Sequence, residues 1–449
     1  MGPSNMLSSL SALDAVERIR DGRISAADLV ESCLERIGET DDGIGAWTYL
    51  NADGVRKQAA DLDGLRRSGK PLGPLHGVPV GLKDIIDTAD MPTERGSPIH
   101  RDRQPAADAA IVERLREAGA VLMGKTVTTE FAFVHPGKTT NPLDMRRTPG
   151  GSSSGSAAAV AAGHVPLAIG SQTNGSTIRP ASYCGIYGFK PTRGVIPRRG
   201  VLETSRTLDQ IGVFGRTLND VALLADILGI YDPSDCMSYA RPRPAMLKGA
   251  QAEAPVEPSF AWFELPYHDR LSSAAADGFS EVLDHLGARV ERIPAPKTFD
   301  DVIACHRIVH ETEISRQLAF EIENHWDLIS DTLKPLLKRG LDTSEADYQG
   351  ALAMVAGAEK FFAEFFMDYD AVITPSAAGE APLVSPEAPG TGDPIFCTIW
   401  TFAGLPALSI PLLVGETGLP VGLQLVGARE EDDRLLRTAN WLTKTFSDV

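Results

Sequence analysis

Between Ser9 and Ile37 the apolar spacing predicts two successive helices, separated by a polar break at Asp21-Gly22-Arg23. Ser25 opens the second as N-cap, with Asp28 three positions on, close to a capping box. A polar amphipathic run from Asn51 to Gly69 predicts another surface helix. The pattern then changes: Val78 to Leu82 is continuously apolar, a buried strand that ends directly on Lys83 and Asp84. An amphipathic helix over Ala109 to Ala118 precedes the strand AVLMGKT, and helix followed by strand predicts an α/β sheet. From Glu130 to Arg147 periodicity is lost, and NPLD and TPGG mark loops.

The segment from Thr148 to Thr192 is rich in glycine and serine and holds no Asp or Glu. Two small-residue loops, GGSSSGS at Gly150 to Ser156 and QTNGS at Gln172 to Ser176, flank an alanine-rich helical run and the short apolar strand VPLAIG. Beyond it, short apolar runs lead into a helix over Leu218 to Leu228, and Tyr231 to Glu257, rich in Pro, Ala and Ser, predicts a surface excursion. The strand PSFAWFEL, a helix from near Ser272, the strand ARVERIP and a long helical region from Phe299 to Phe366 follow. The buried strand DYDAVITPS, a strand pair LPALSIPLLV and GLPVGLQLVG, and a terminal helix from Asp432 to Phe446 close the chain. With no internal repeat and no long linker, the expectation is one domain over 1–449, with a core over about 60–230 and 368–449 and a helical part over about 231–367.

Composition narrows the class. At 449 residues with 43% hydrophobic and 23% charged, a sizeable core is available, and a formal net charge of −17 argues against nucleic acid or an anionic membrane as partner. The densest basic positions, Arg146, Arg147, Arg193, Arg198 and Arg199, flank the serine-rich segment, where loop-edge arginines are usually structural. Five scattered cysteines without CxxC spacing, and an N-terminus lacking a basic and then apolar leader pattern, point to a cytoplasmic protein with free thiols. No stretch reaches the ~18 uninterrupted apolar residues of a membrane span. His306, His310 and Glu313 could share a helix face, a trio more often a polar surface than a metal site, so no metal is expected.

Serine nucleophile chemistry needs a serine on a turn, a base for its proton and backbone N–H groups for the oxyanion. Ser176 meets the first and third conditions, because Gly175 lets the preceding backbone curl so that successive N–H groups converge. There is no GxSxG elbow around it, and His164, at the end of the alanine-rich run, reads as a helix C-terminal cap. Lysine is left as the base. Lys83 at a buried strand end either pairs with Asp84 or Asp87 or is desolvated enough to stay partly neutral.

GGSSSGSAAAVAAG followed by GSQTNGSTIRPASYCGIYGFKPT resembles the amidase signature family of serine hydrolases. GVPVGLKD at 77–84, MPTERGS at 91–97, AGAVLMGKTVTTEFAF at 118–133, DAVITPS at 370–376, and GLPALSIP with GLPVGLQLVG extend the resemblance over most of the chain. It implies an α/β/α sandwich with a large mixed central sheet, and a Ser, cis-Ser, Lys triad at Ser176, Ser152 and Lys83, with the cis bond at Gly151–Ser152. The implied oxyanion donors are the N–H groups of Thr173, Asn174, Gly175 and Ser176. Ser153 and Ser154 are alternatives to Ser152 on composition alone; Cys184 reads as packed. The implied activity is hydrolysis of a linear carboxylic amide, with anilides, esters and carbamates as further substrates and no cofactor.

Departures from the family pattern refine this. QTNGS stands where DTGGS is common and STIRP where SIRxP is, a variant resembling malonamidases and the branches acting on anilides (aryl acylamidases) and carbamates (urethanases). Arg179 either ties the loop to a distant group or receives a substrate carboxylate; Gln172 and Trp400 are further candidate substrate contacts, an aromatic near GLPA suiting an apolar acyl or aryl group. The expected partners are a small-molecule amide and, at most, a second copy in a homodimer, with no nucleic acid and no membrane. The alternative is the glutamine-hydrolysing component of a tRNA-dependent amidotransferase, which QTNGS and STIRP disfavour. A catalytically dead binding module is a third reading, weakened by the occupied triad positions.

Overall fold

The computed structural model describes residues 7–385 and 390–447. In its first half α1 (Ala12–Arg20), α2 (Ala26–Ile44), β1 (Trp47–Leu50), α3 (Ala52–Arg67), β2 (Pro79–Lys83), α4 (Ala110–Glu117) and β3 (Val121–Thr126) precede α5 (Ser154–Ala161) and β4 (Leu167–Gln172). Then come α6 (Ile178–Cys184), β5 (Tyr187–Lys190), β6 (Gln210–Gly215), α7 (Leu218–Leu228) and α8 (Met246–Gln251). The second half holds β7 (Phe260–Glu264), α9 (Ser273–Leu286), β8 (Val290–Pro294), α10 (Thr298–Gln317), α11 (Ala319–His325), α12 (Lys334–Asp342), α13 (Glu345–Phe365) and β9 (Ala371–Pro375). It closes with α14 (Ile395–Phe402), β10 (Ala407–Val414), β11 (Pro420–Val426) and α15 (Asp432–Ser447).

Among the described residues, eleven strands form one mixed sheet in the order β1-β3-β2-β4-β6-β5-β10-β11-β9-β7-β8. β2 pairs in parallel with both β3 and β4, and is buried along its whole length, which explains why its sequence is continuously apolar rather than alternating. The parallel arrangement places the ends of β2 and β4 side by side, and ligands of α/β sheets gather beyond such carboxyl ends.

The alanine-rich run is α5, buried on every side. Its small residues follow from close packing on the sheet: a Cβ at Gly155 would lie 2.3 Å from both the Ala46 carbonyl oxygen and the Val127 nitrogen, too close for any side chain. Ser156 Oγ donates to the Ile169 carbonyl at 2.9 Å and shares a 2.7 Å hydrogen bond with Thr126, tying α5 to β4 and β3. At Ser25 both bonds of the capping box are made.

Three features go beyond the sequence pattern. The region after Tyr231 is not merely an excursion, because it contains α8, whose Met246 and Ala250 are buried in the main core. Helix α6 has no helical periodicity in sequence; it is seven residues long with Pro180 in its first turn, where proline's missing N–H does no harm, and it stops at Gly185 in the left-handed region, φ 67°. His164 closes the end of α5, its N–H donating to the Ala159 carbonyl at 2.9 Å, and its buried ring does more, accepting from Trp47 Nε1 at 3.1 Å and bonded to Thr40 Oγ1 at 2.7 Å, so it joins α2 to β1.

Candidate active site

Lys83 is the last residue of β2, and its side chain is fully buried. Its Nζ donates to Ser152 Oγ at 2.7 Å and to Ser171 Oγ at 2.8 Å. Among the described residues no carboxylate is bonded to it, and burial pulls its pKa from 10.5 down to about 7; Asp209, acting through space, works in the opposite direction. Asp84, adjacent in sequence, points away: its carboxylate accepts from the Glu94 N–H at 3.1 and 3.2 Å and faces Lys125. An amine close to half neutral near pH 7 and bonded to a hydroxyl can take that hydroxyl's proton.

The peptide bond between Gly151 and Ser152 is cis, where the resemblance puts it. The neighbouring serines have other work. Ser153 Oγ bonds the Ser171 N–H and carbonyl, both at 3.2 Å, and Ser154 Oγ donates to the Val127 carbonyl at 3.3 Å. Both therefore tie the start of α5 to the carboxyl ends of β4 and β3, and Lys83 meets Ser152 rather than either of them.

The turn after β4 carries Thr173, Asn174, Gly175 and Ser176, all four lining one cavity of about 220 Å³. Among the described residues, the N–H groups of Asn174, Gly175 and Ser176 donate to no other group, and neither does the Ser176 hydroxyl. The chain of hydrogen bonds is thus closed from Lys83 to Ser152 and open from Ser152 to Ser176.

Gln172 does not reach the cavity. It is fully buried, its Oε1 accepts from the N–H groups of Thr177 and Ile178 at 2.8 and 3.0 Å, and its Nε2 donates to Thr401 Oγ1 at 2.9 Å. It therefore caps α6 and shapes the turn instead of meeting substrate. Trp400 is likewise no cavity residue: it is 0% exposed, donates Nε1 to the Phe396 carbonyl at 2.9 Å, and packs near Phe263 and Phe362 in a second core cluster. Its place in α14 faces the core because α14 is buried along its length.

Arg179 lines the cavity and also ties two loops together. Its Nη2 donates to the Gly151 carbonyl at 2.6 Å and its Nε to the Thr391 carbonyl at 2.8 Å, while Nη1 is buried without a partner among the described residues. The other flanking arginines are paired: Arg146 and Arg147 with Asp144, Arg193 with Glu359, Arg198 with Asp235, Arg199 with Glu113 and Asp232.

Sequence reasoning missed three contributors. Ser171 is the second partner of Lys83, hidden among many serines. Asp209, buried, accepts from Thr173 Oγ1 at 2.5 Å and from the Thr204 and Ser205 N–H groups at 2.7 and 3.0 Å, bracing the turn from behind. A carboxylate next to the strand residue Gln210 was the available signal. The cavity's far wall is α10 with His306, Arg307, His310 and Glu311, opposite Ala132, Phe133 and Val134. His306 Nε2 donates to the Thr173 carbonyl at 2.9 Å, and Glu313 is engaged with Thr207 and Tyr348, so the suspected His306, His310 and Glu313 trio is not a metal cluster; no such cluster exists among the described residues.

Comparison with known proteins agrees with this architecture. The chain is 35% identical over 463 residues to a glutamyl-tRNA(Gln) amidotransferase component from Symbiobacterium thermophilum, a match covering 93% of each chain. A chain from a vestigial protein complex linked to the origins of an s-triazine catabolic enzyme superposes with a TM-score of 0.90 at 31% identity, covering 97% of this chain and 98% of that one. The peptide amidase of Stenotrophomonas maltophilia gives a TM-score of 0.82 at 26% identity, covering 97% and 96%. The first of these overturns the expected partners, a small-molecule amide alone with no nucleic acid and at most a homodimer: that relative is by name one component of a multi-subunit enzyme for a glutamyl-tRNA. A net charge of −17 does not exclude such an assembly, because the surface charge of one component does not report what the others bind. No helix among the described residues is long and apolar enough to cross a membrane. The sheet, the buried lysine and the serine-rich turns lie within residues 28–436, the span matched by the Amidase family profile, and this protein belongs to that family of C–N hydrolases.

Proposed function

We propose that this chain cleaves a carboxylic amide at Ser176. The observation that carries the reading is the buried Lys83, free of any bonded carboxylate and hydrogen-bonded to Ser152. In this mechanism neutral Lys83 takes the Ser152 proton as Ser152 takes that of Ser176, whose Oγ then bonds the carbonyl carbon. Unpartnered N–H groups of the 173–176 turn receive the oxyanion, as preorganised donors at no reorganisation cost. The tetrahedral intermediate collapses as Ser152 passes its proton to the departing nitrogen, and water attacks the acyl-enzyme along the same route.

For the amide itself, the curated relatives support a glutamine-hydrolysing component of a tRNA-dependent amidotransferase, since 33–35% identity runs across nearly the whole of both chains. In that role the chain releases ammonia for a partner that acts on the tRNA-bound substrate, and an acidic chain that leaves RNA to its partner is consistent with the net charge of −17. A second reading has a specific observation behind it. Ala132, Phe133, Val134 and Leu336 give the cavity apolar walls, and with the QTNGS and STIRP variants they favour amides, anilides or carbamates bearing an apolar or aryl group.

One assay series separates the two. The purified chain is given glutamine, with and without the companion chains of an amidotransferase, and in parallel anilides, esters and carbamates. Ammonia from glutamine, raised by the companions, supports the first reading; aromatic amine release without glutaminase activity supports the second. A rate unchanged by Ser176→Ala sinks both.

A further inference from the structure

The 220 Å³ cavity is lined, among the described residues, by two with a buried, unpartnered polar atom that the chemistry above does not use, Arg179 with its Nη1 and His310. His310 is 5% exposed and lines the cavity from α10, yet its Nε2 has no hydrogen-bond partner among the described residues. Buried polar atoms in native proteins are rarely left unpaired, and an exception on a residue that lines a cavity points to a ligand atom. The ring packs against Phe133, with centroids 4.3 Å apart and planes at 63°, and against His306 at 5.7 Å and 79°. Burial first, and His306 second, keep its pKa well below 6.5, so it meets a ligand as neutral imidazole. Its neighbour Glu311 is already paired with Arg339, and His306 with Thr173, so neither offers the same free atom.

The side of the substrate that enters follows from Ser152. That serine is absent from the cavity wall, whereas Ser176 and the 173–175 turn form part of it. Resting on the relay proposed above, in which Ser152 protonates the leaving nitrogen, the leaving group lies towards Ser152 and the cavity receives the acyl group. We propose that this cavity is the acyl-group site and that His310 Nε2 hydrogen-bonds a polar atom of the acyl chain beyond the scissile carbonyl, while Phe133, Val134 and Leu336 enclose its hydrocarbon part. His310 is thus a specificity residue, selecting acyl groups with an internal polar group over hydrocarbon ones of the same shape.

The test measures binding by calorimetry in a Ser176→Ala background, where turnover does not interfere. The probes are N-acetylglycine anilide and its apolar isostere 4-methylpentanoic anilide. Adding His310→Leu is expected to raise Kd for N-acetylglycine anilide about 5-fold, the value of one neutral hydrogen bond, and to change the isostere less than about 2-fold. His310→Gln, polar and of similar size, is expected to recover most of the loss and guards against a folding defect in the leucine variant. Equal shifts for both probes, no shift for either, or no binding of either to the Ser176→Ala protein overturns the proposal. Retained turnover in Ser176→Ala instead overturns the relay reading.

Discussion

Two lysines at strand ends, Lys83 on β2 and Lys190 on β5, are both fully buried, and burial brings both to about 7. Their partners differ. Lys190 donates to Gln210 Oε1 at 2.5 Å and to the Leu405 carbonyl, oxygens that only accept. Lys83 meets two hydroxyls, which both give and accept protons. A depressed pKa therefore does not make a base; a proton source does. Lys190 joins β5 to β6 and to the chain before β10, whereas Lys83 stands beside the serines of the 150–156 loop.

The contrast can be broken most directly at the lysines themselves. Lys83→Ala is expected to lower kcat by about 10³-fold, within the range of a lost general base, with near-native circular dichroism. If Lys83→Ala keeps most of its activity, the base lies elsewhere. The next effect is on pH. Because the working form of Lys83 is neutral and its pKa is lowered, kcat/KM should fall about tenfold per pH unit below about 7 and level off above it. A profile flat down to pH 5 contradicts a lysine base. The same limb should survive in Lys190→Met.

Stability behaves differently, and here the two lysines are expected to agree. Each has a folded pKa near 7 against 10.5 for the free side chain, so between those values the unfolded chain binds more protons and stability rises with pH. Replacing either lysine by Met should flatten that slope in denaturant titrations at pH 7 and 10; a slope that neither substitution changes would show that these groups are not buried as described. Smaller again is Ser171→Ala, which leaves Lys83 with one hydroxyl and should cost about 5-fold in kcat, one hydrogen bond's worth. Lys190→Met should change kcat less than about 2-fold while destabilising the fold by about 1–3 kcal/mol, because the Gln210 and Leu405 oxygens lose their donor. A large kcat loss in that variant would erase the distinction between the two sites.

Helices and strands with a strong period were legible from their residues: α1 to α4, β2, β3 and the β10 and β11 pair lie close to where the apolar spacing puts them. Helix α6 was not, since seven residues containing a proline carry no period and its first turn is capped by Gln172, a side chain from the preceding strand. Gln172 and Trp400 show the limit at the site. Their neighbours in sequence line the cavity or the turn, but a strand alternates its faces and α14 turns its aromatic face to the core, so adjacency in sequence did not carry over to the cavity.

By itself the sequence determined the local features: which segments bury apolar faces, where small residues allow close turns, and the family pattern that singles out Ser176, Ser152 and Lys83. Only the tertiary structure decided which groups meet. Lys83 and Ser152 are 69 positions apart, Asp209 reaches Thr173 across 36, and His306 on α10 reaches the same Thr173 across 133. Hydrogen bonds act over about 3 Å. Contacts that short between residues so distant along the chain depend on strand order and helix placement, which no local pattern encodes, and that is why the wall of the cavity emerged only from the fold.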